Sequence, residues 1–206
     1  MNKTIKTILL LAAALVAAGC AKTPKVGAND GNERYFTAWM EVNHPALQPS
    51  GLGIYVIEEE EGNGAEVKAD SYVYADYVVT DLEGNISTFT DKETAEKLGK
   101  YVPSDYYGAK VITTFESTIP AGLREAVIGM KVGGRKKVII PSWLMTYNNY
   151  DTPEEYLENS SSGTSCIYDI RIEDVTNDIS KHEIRLMAQY FADNGDIFGR
   201  DFTSAD

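Results

Sequence analysis

From Cys166 to Glu173 the chain alternates without a break, with Cys166, Tyr168, Ile170 and Ile172 on one face and Ile167, Asp169, Arg171 and Glu173 on the other. That period of two predicts a strand with one covered face. A second alternating run puts Val73, Ala75, Tyr77 and Val79 together, opposite Tyr72, Tyr74 and Asp76. Shorter strands are predicted over Gly53–Ile57, Val111–Phe115 and Lys136–Ile140, the last ended by Pro141, and Leu82-Glu83-Gly84-Asn85 reads as a hairpin turn. Between strands the period changes. Leu123, Ala126, Val127 and Met130 recur at i, i+3, i+4 and i+7 behind Pro120 at the first helical position, and Gly133-Gly134 stops that predicted helix. Thr90-Asp91-Lys92-Glu93 reads as a capping box opening a helix that ends at Gly99, and Thr152-Pro153-Glu154-Glu155 as a further capped turn. Ser180-Lys181-His182-Glu183 caps a longer helix with Ile184, Met187, Ala188 and Phe191 on one face, closed by Asn194-Gly195. Phe36, Trp39 and Met40, following Asn32, predict a short helix laid on the surface, and Tyr101–Gly108 reads as loop. Several strands around one central helix predict an α+β fold.

The longest apolar run, Ile8–Ala18, is preceded by Lys3 and Lys6 and followed by Gly19-Cys20. It is too short to span a bilayer, which takes about 20 apolar residues, and has the layout of an export signal. Leu15-Val16-Ala17-Ala18-Gly19-Cys20 resembles a bacterial lipobox, although Ala17 stands where leucine is usual. The resemblance implies cleavage before Cys20 and lipid chains on that residue, which would anchor the mature protein to a membrane of the bacterial cell envelope. The expected division is a removable signal over 1–19, a flexible tether over 20–32, a folded domain over 33–177 with its core over 53–175, and a C-terminal amphipathic helix and tail over 178–206.

Charge narrows the partners. The formal net charge is -12, and loss of residues 1–19 removes two lysines and no acid, giving -14. A nucleic-acid partner is therefore not expected. Only Cys166 then remains as a thiol, so no internal disulfide can form. Glu58-Glu59-Glu60-Glu61 reads as a solvated loop ahead of the turn Gly62-Asn63-Gly64, since contiguous carboxylates lack the spacing of a calcium loop. The two histidines, His44 and His182, give a hydrolytic triad or a metal centre little to stand on.

Over about 120 residues, Gly53–Val175, the sequence resembles the FKBP-type peptidyl-prolyl isomerases. Four stretches carry the resemblance in the family's order. Tyr77 is followed seven residues later by Gly84; Ile119-Pro120-Ala121-Gly122-Leu123-Arg124-Glu125-Ala126 runs on to Met130-Lys131-Val132-Gly133; Ile140-Pro141 leads to Thr146-Tyr147; and Tyr168-Asp169-Ile170-Arg171-Ile172 stands for the closing strand. The resemblance implies a half-wrapped antiparallel sheet closed over one short helix. It also implies prolyl isomerisation of proline-containing polypeptide clients, with no cofactor and no metal.

By the same resemblance Tyr77, Phe89, Ile119, Pro120, Leu123, Tyr147 and Tyr168 line the proline pocket, the Ile119 N–H bonds one substrate carbonyl and the Tyr147 hydroxyl another. Each has a competing role. Tyr77 and Tyr168 also suit ordinary core positions; Ile86 competes with Phe89, which lies two residues later than the family spacing; and Asp91 suits helix capping as well as the pocket. Leu123 replaces the tryptophan common at the pocket floor, Tyr147 comes one residue late, and the loop over 151–163 differs from the family's flap. A non-catalytic binding module, its tyrosine-rich loops Tyr101–Tyr107 and Tyr147–Tyr156 holding a partner, is the rival reading, and one half of a tandem protein is a third.

Overall fold

The computed structural model describes residues 29–160 and 163–195. The signal, Cys20, the tether up to residue 28 and the tail lie outside the described residues. The described chain opens with helix α1 (Asp30–Asn43), followed by strands β1 (Tyr55–Glu60), β2 (Tyr72–Asp81) and β3 (Ile86–Phe89). Helix α2 (Lys92–Lys97), strand β4 (Lys110–Thr113), helix α3 (Ala121–Val127) and strand β5 (Arg135–Ile140) come next. A 3₁₀ turn at Ser142–Leu144, helix α4 (Pro153–Asn159), strand β6 (Cys166–Thr176) and helix α5 (Ile179–Asp193) complete it.

The strands form one antiparallel sheet in the order β1-β5-β6-β2-β3, and β4 also pairs with β2. Strand β2 pairs along its whole length with β6, while its other edge is shared: β4 takes Tyr72–Ala75 and β3 takes Val78–Thr80. The chain over 90–109 leaves the sheet at that division, beside Tyr77.

The predicted alternation holds on both long strands. Val73, Ala75 and Val79 of β2, Val138 and Ile140 of β5, and Cys166, Ile170 and Ile172 of β6 pack against Leu123, Ala126 and Val127 of α3. Gly122 allows that approach, since a Cβ there would lie 2.4 Å from Ile140 Cγ2 and 2.9 Å from Leu144 Cβ. The other face of the sheet is covered too. Ile139 and Leu82 pack with Phe36 and Met40 of α1, and Phe36 meets Trp143 edge-on at 5.4 Å. The helix expected to be a short surface turn is therefore 14 residues long and builds a second core. Residues 29–32, expected as tether, belong to it: Asn29 is buried and donates through Nδ2 to Leu157 O and Ser160 O at 2.9 and 3.1 Å.

Four local expectations are corrected. The acidic run is strand rather than loop, because Glu58, Glu59 and Glu60 stand opposite Lys137, Lys136 and Arg135 of β5. Arg135 bonds Glu58 and Glu60 at 3.2 Å on one side and Asp169 at 2.6 and 2.7 Å on the other, a network across three strands. Helix α3 ends well before Gly133: Gly129 at φ +85° breaks it, and Met130 continues as an extended segment whose carbonyl accepts from the Val67 N–H at 2.8 Å. Pro120 is its N-cap rather than its first helical residue. The cap of α5 is also displaced, since Asp178, not Ser180, accepts from Lys181 N at 3.1 Å; at α2, Asp91 takes the capping role its position allowed, accepting from Thr94 N at 2.7 Å.

Helix α5 carries its apolar residues largely outside the domain. Only His182 is buried along it, against the Tyr74 ring at 5.2 Å and 3.1 Å from Asp174 Oδ2, whereas Ile184 and Met187 are exposed.

Candidate functional site

Tyr77 and Tyr168 project from the paired central strands β2 and β6 on the face that packs against α3. Tyr168 stands opposite Val79, two residues along from Tyr77, so the two rings lie diagonally across one ladder. Their centroids are 6.1 Å apart at 49°. Ile119 and Leu123, at and just inside the start of α3, belong to the same apolar cluster. Pro120 is buried between them in sequence and fixes the entry of the chain into the helix.

Tyr147 reaches this region along a different path. The Thr146 carbonyl accepts from the Ala121 N–H at 2.8 Å, tying the segment after the 3₁₀ turn to the beginning of α3. The Tyr147 side chain is 56% exposed. Asn149 continues the tie, donating through Nδ2 to Ser117 Oγ at 3.1 Å. Tyr147 is close enough to raise the pKa of Tyr168 electrostatically, along with Cys166 and Tyr77, but the largest cause of that rise is burial of the Tyr168 ring. Burial likewise pushes Tyr77 above its ordinary value. Tyr77 and Tyr168 are therefore neutral across the physiological range. They can give or accept hydrogen bonds but offer no base.

The polar groups here are available. Among the described residues the Ile119 N–H has no hydrogen-bond partner, nor have the hydroxyls of Tyr77, Tyr147 and Tyr168. An apolar floor, two ring walls and unpaired donors can hold an amide and its flanking carbonyls without charging either.

Phe89 is not brought into this group. It stands opposite Val78, which faces away from Tyr77, and it lies outside the apolar cluster; Ile86 stands opposite Thr80. The carboxylate of Asp91 is engaged as the cap of α2. Thr90 takes the position beside Tyr77 instead: buried to 2% exposure, its Oγ1 accepts from the Tyr77 N–H at 2.9 Å and donates to Asp76 Oδ1 at 2.9 Å. That role had no sequence signal, because the same threonine reads equally as an N-cap.

A second group missed by sequence lies on α3. Glu125 accepts from the Leu52 N–H with both carboxylate oxygens at 3.0 Å, and burial raises its pKa to about 7 against the pull of that bond and of Lys136. In the unfolded chain it titrates near the ordinary carboxylate value. The folded state thus holds the proton more tightly, and the associated stability is complete in acid and lost as pH rises through about 7. Glu125→Gln should remove this loss. Unfolding free energies from urea titrations at pH 5 and pH 8 should differ less for the variant, by roughly 1–2 kcal/mol once water at the exposed part of the carboxyl is allowed for. An unchanged pH dependence would contradict the assignment.

No family model matches the chain, and no curated protein matches it. Solved structures do. FkpA from Escherichia coli is 18% identical with a TM-score of 0.46, over 85% of this chain and 74% of that one. A peptidyl-prolyl cis-trans isomerase from Pseudomonas syringae pv. tomato is 17% identical with a TM-score of 0.48, over 72% of this chain and 96% of that one. AtFKBP13 is 13% identical with a TM-score of 0.43, over 63% and 98%. The open antiparallel sheet packed over one short helix, expected from the sequence motifs, is the arrangement this chain adopts. It is also the arrangement that the resemblance to the FKBP-type isomerases implied. Ile119 and Leu123 belong to the apolar cluster under the sheet, and Tyr77 and Tyr168 pack against that cluster.

Proposed function

We propose that the protein is a peptidyl-prolyl cis-trans isomerase that acts on exported polypeptides at the bacterial cell envelope. The observation that carries this reading is the Tyr77–Tyr168 ring pair packed against the apolar cluster that holds Ile119 and Leu123, with the Ile119 N–H and the tyrosine hydroxyls without a partner among the described residues. An X-Pro bond resists rotation by about 18–20 kcal/mol because resonance gives the amide C–N bond partial double character. At the top of that barrier the nitrogen is pyramidal, the carbonyl is less polar and the amide is less in need of water. A dry aromatic site binds that form better than either planar isomer, and the Ile119 N–H and Tyr147 hydroxyl hold the neighbouring carbonyls while the bond turns. The step forms and breaks no covalent bond, which suits a site of neutral phenols.

The placement of Phe89 away from Tyr77, and leucine at the floor, favour a second reading: a binding module that holds proline segments without turning them. A proline-peptide isomerisation assay distinguishes the two, since the binding module would protect the peptide without raising its rate.

Cys20 supplies the address in this proposal. With lipid chains on that residue, the domain would sit on a membrane at the end of a short tether. Cys20→Ala should move the protein from the membrane fraction to the soluble one. A variant that still pellets with membranes would contradict the anchor and leave the isomerase reading untouched.

A further inference from the structure

On the edge of β2 that β3 and β4 share, Asp76 and Tyr77 have no strand opposite them, because β4 pairs only as far as Ala75 and β3 takes up the edge from Val78. Thr90 fills that gap. Its N–H donates to the Tyr77 carbonyl at 3.0 Å, and its Oγ1 accepts from the Tyr77 N–H at 2.9 Å. The N–H and the carbonyl of one antiparallel strand residue point to the same edge, so both backbone groups of Tyr77 are held by this one side chain and its own backbone. The Thr90 carbonyl accepts in turn from the Gly108 N–H at 2.8 Å, which closes the chain over 91–107 on the same residue.

The Thr90 hydroxyl is set rather than free to turn. It has one proton to give and can accept more than one bond. Asp76 Oδ1 takes that proton at 2.9 Å, while the Tyr77 carbonyl, at 3.4 Å, is the poorer acceptor. With the proton directed at Asp76, a lone pair of Oγ1 faces the Tyr77 N–H. Thr90 is buried, so water does not compete for these bonds. The direction of a strand side chain follows its backbone, and a shift at this point of β2 is therefore a shift of the ring that lies 6.1 Å from Tyr168. We propose that Thr90 is a positioning residue, oriented by Asp76, that holds the Tyr77 ring where prolyl rotation requires it. That role rests on the protein being an isomerase.

The test is the kcat and KM of the full chain, from NMR exchange line shapes of an X-Pro peptide. Thr90→Val keeps the side-chain shape and removes the hydroxyl. Its kcat should fall about tenfold with KM changed by less than about twofold, since a misplaced group costs the transition state more than the ground state. Thr90→Ser, which returns the hydroxyl, should recover most of that loss. In a Tyr77→Ala background, Thr90→Val should lower kcat by less than about twofold, because the ring it positions is gone. Asp76→Ala, at a half-buried position, leaves Thr90 in place and should lower kcat about threefold, which keeps the test standing if Thr90→Val does not fold. No acceleration by the parent chain would overturn the isomerase reading and this role together. With an active parent, an unchanged kcat in Thr90→Val or in Asp76→Ala, a serine variant as slow as the valine one, or an equal loss in the Tyr77→Ala background would overturn this role alone.

Discussion

Replacing Tyr156 by alanine should destabilise the domain by about 3–5 kcal/mol, the range for deleting a buried aromatic ring. The rival binding-module reading places this tyrosine in a partner-holding aromatic loop, yet it is 2% exposed and belongs to the main core cluster. Helix α4 delivers it. Thr152 caps that helix by accepting from Glu155 N at 3.2 Å, and the Tyr156 ring then meets Tyr150 edge-on at 5.1 Å. Tyr150 in turn donates to Asn159 O at 3.1 Å, so the loop after Tyr147 is closed on itself. The loss should appear as a lower urea midpoint with little change in slope. Tyr156→Phe, which keeps the ring, should stay within about 1 kcal/mol of the parent. An alanine variant as stable as the parent would mean that α4 is not docked on the core.

The second large effect concerns turnover. Tyr77→Ala combined with Tyr168→Ala removes both ring walls, and kcat/KM for a proline peptide should fall at least about 100-fold, equivalent to about 2.7 kcal/mol of transition-state stabilisation. Because Tyr168 is also packed against the core, the double variant will lose stability, and a control is needed that does not. Tyr168→Phe removes only a hydroxyl that has no partner among the described residues. It should leave folding intact and change kcat/KM by a few-fold at most, because the proposed work of this residue is done by its ring. A large loss in the phenylalanine variant would assign the hydroxyl a direct part in turning the bond.

Those predictions also indicate where sequence sufficed. The alternation at Val73–Val79 and Cys166–Ile172 placed the two central strands and their inward residues correctly, because a sheet covered on one face by a helix leaves that period in the sequence. It failed where an apolar residue serves a different geometry from its neighbours. Met130 continued the helical spacing of Leu123, Ala126 and Val127, but Gly129 at positive φ turns the chain and Met130 is buried as an extended residue paired with Val67. The run Glu58–Glu60 read as loop because its partners, Arg135, Lys136 and Lys137, lie about 75 residues away and pair only when β1 and β5 come together.

The site was legible in the same uneven way. Tyr77, Leu123 and Tyr168 share the main apolar cluster because each sits on an element whose face the local pattern determined, whereas Ile119 precedes α3 and was expected there only from the family resemblance. Phe89 does not, since its face depends on the register of β3 against β2, with a bulge between Val79 and Thr80 that no local pattern encodes.

The most direct test is the rate of cis-to-trans conversion of an X-Pro peptide in the presence of the full chain at micromolar concentration. The rate should rise above the spontaneous one in proportion to protein, and return to it with Tyr77→Ala and Tyr168→Ala together. No acceleration, or acceleration that survives the double substitution, would contradict the claim that this aromatic site turns prolyl bonds.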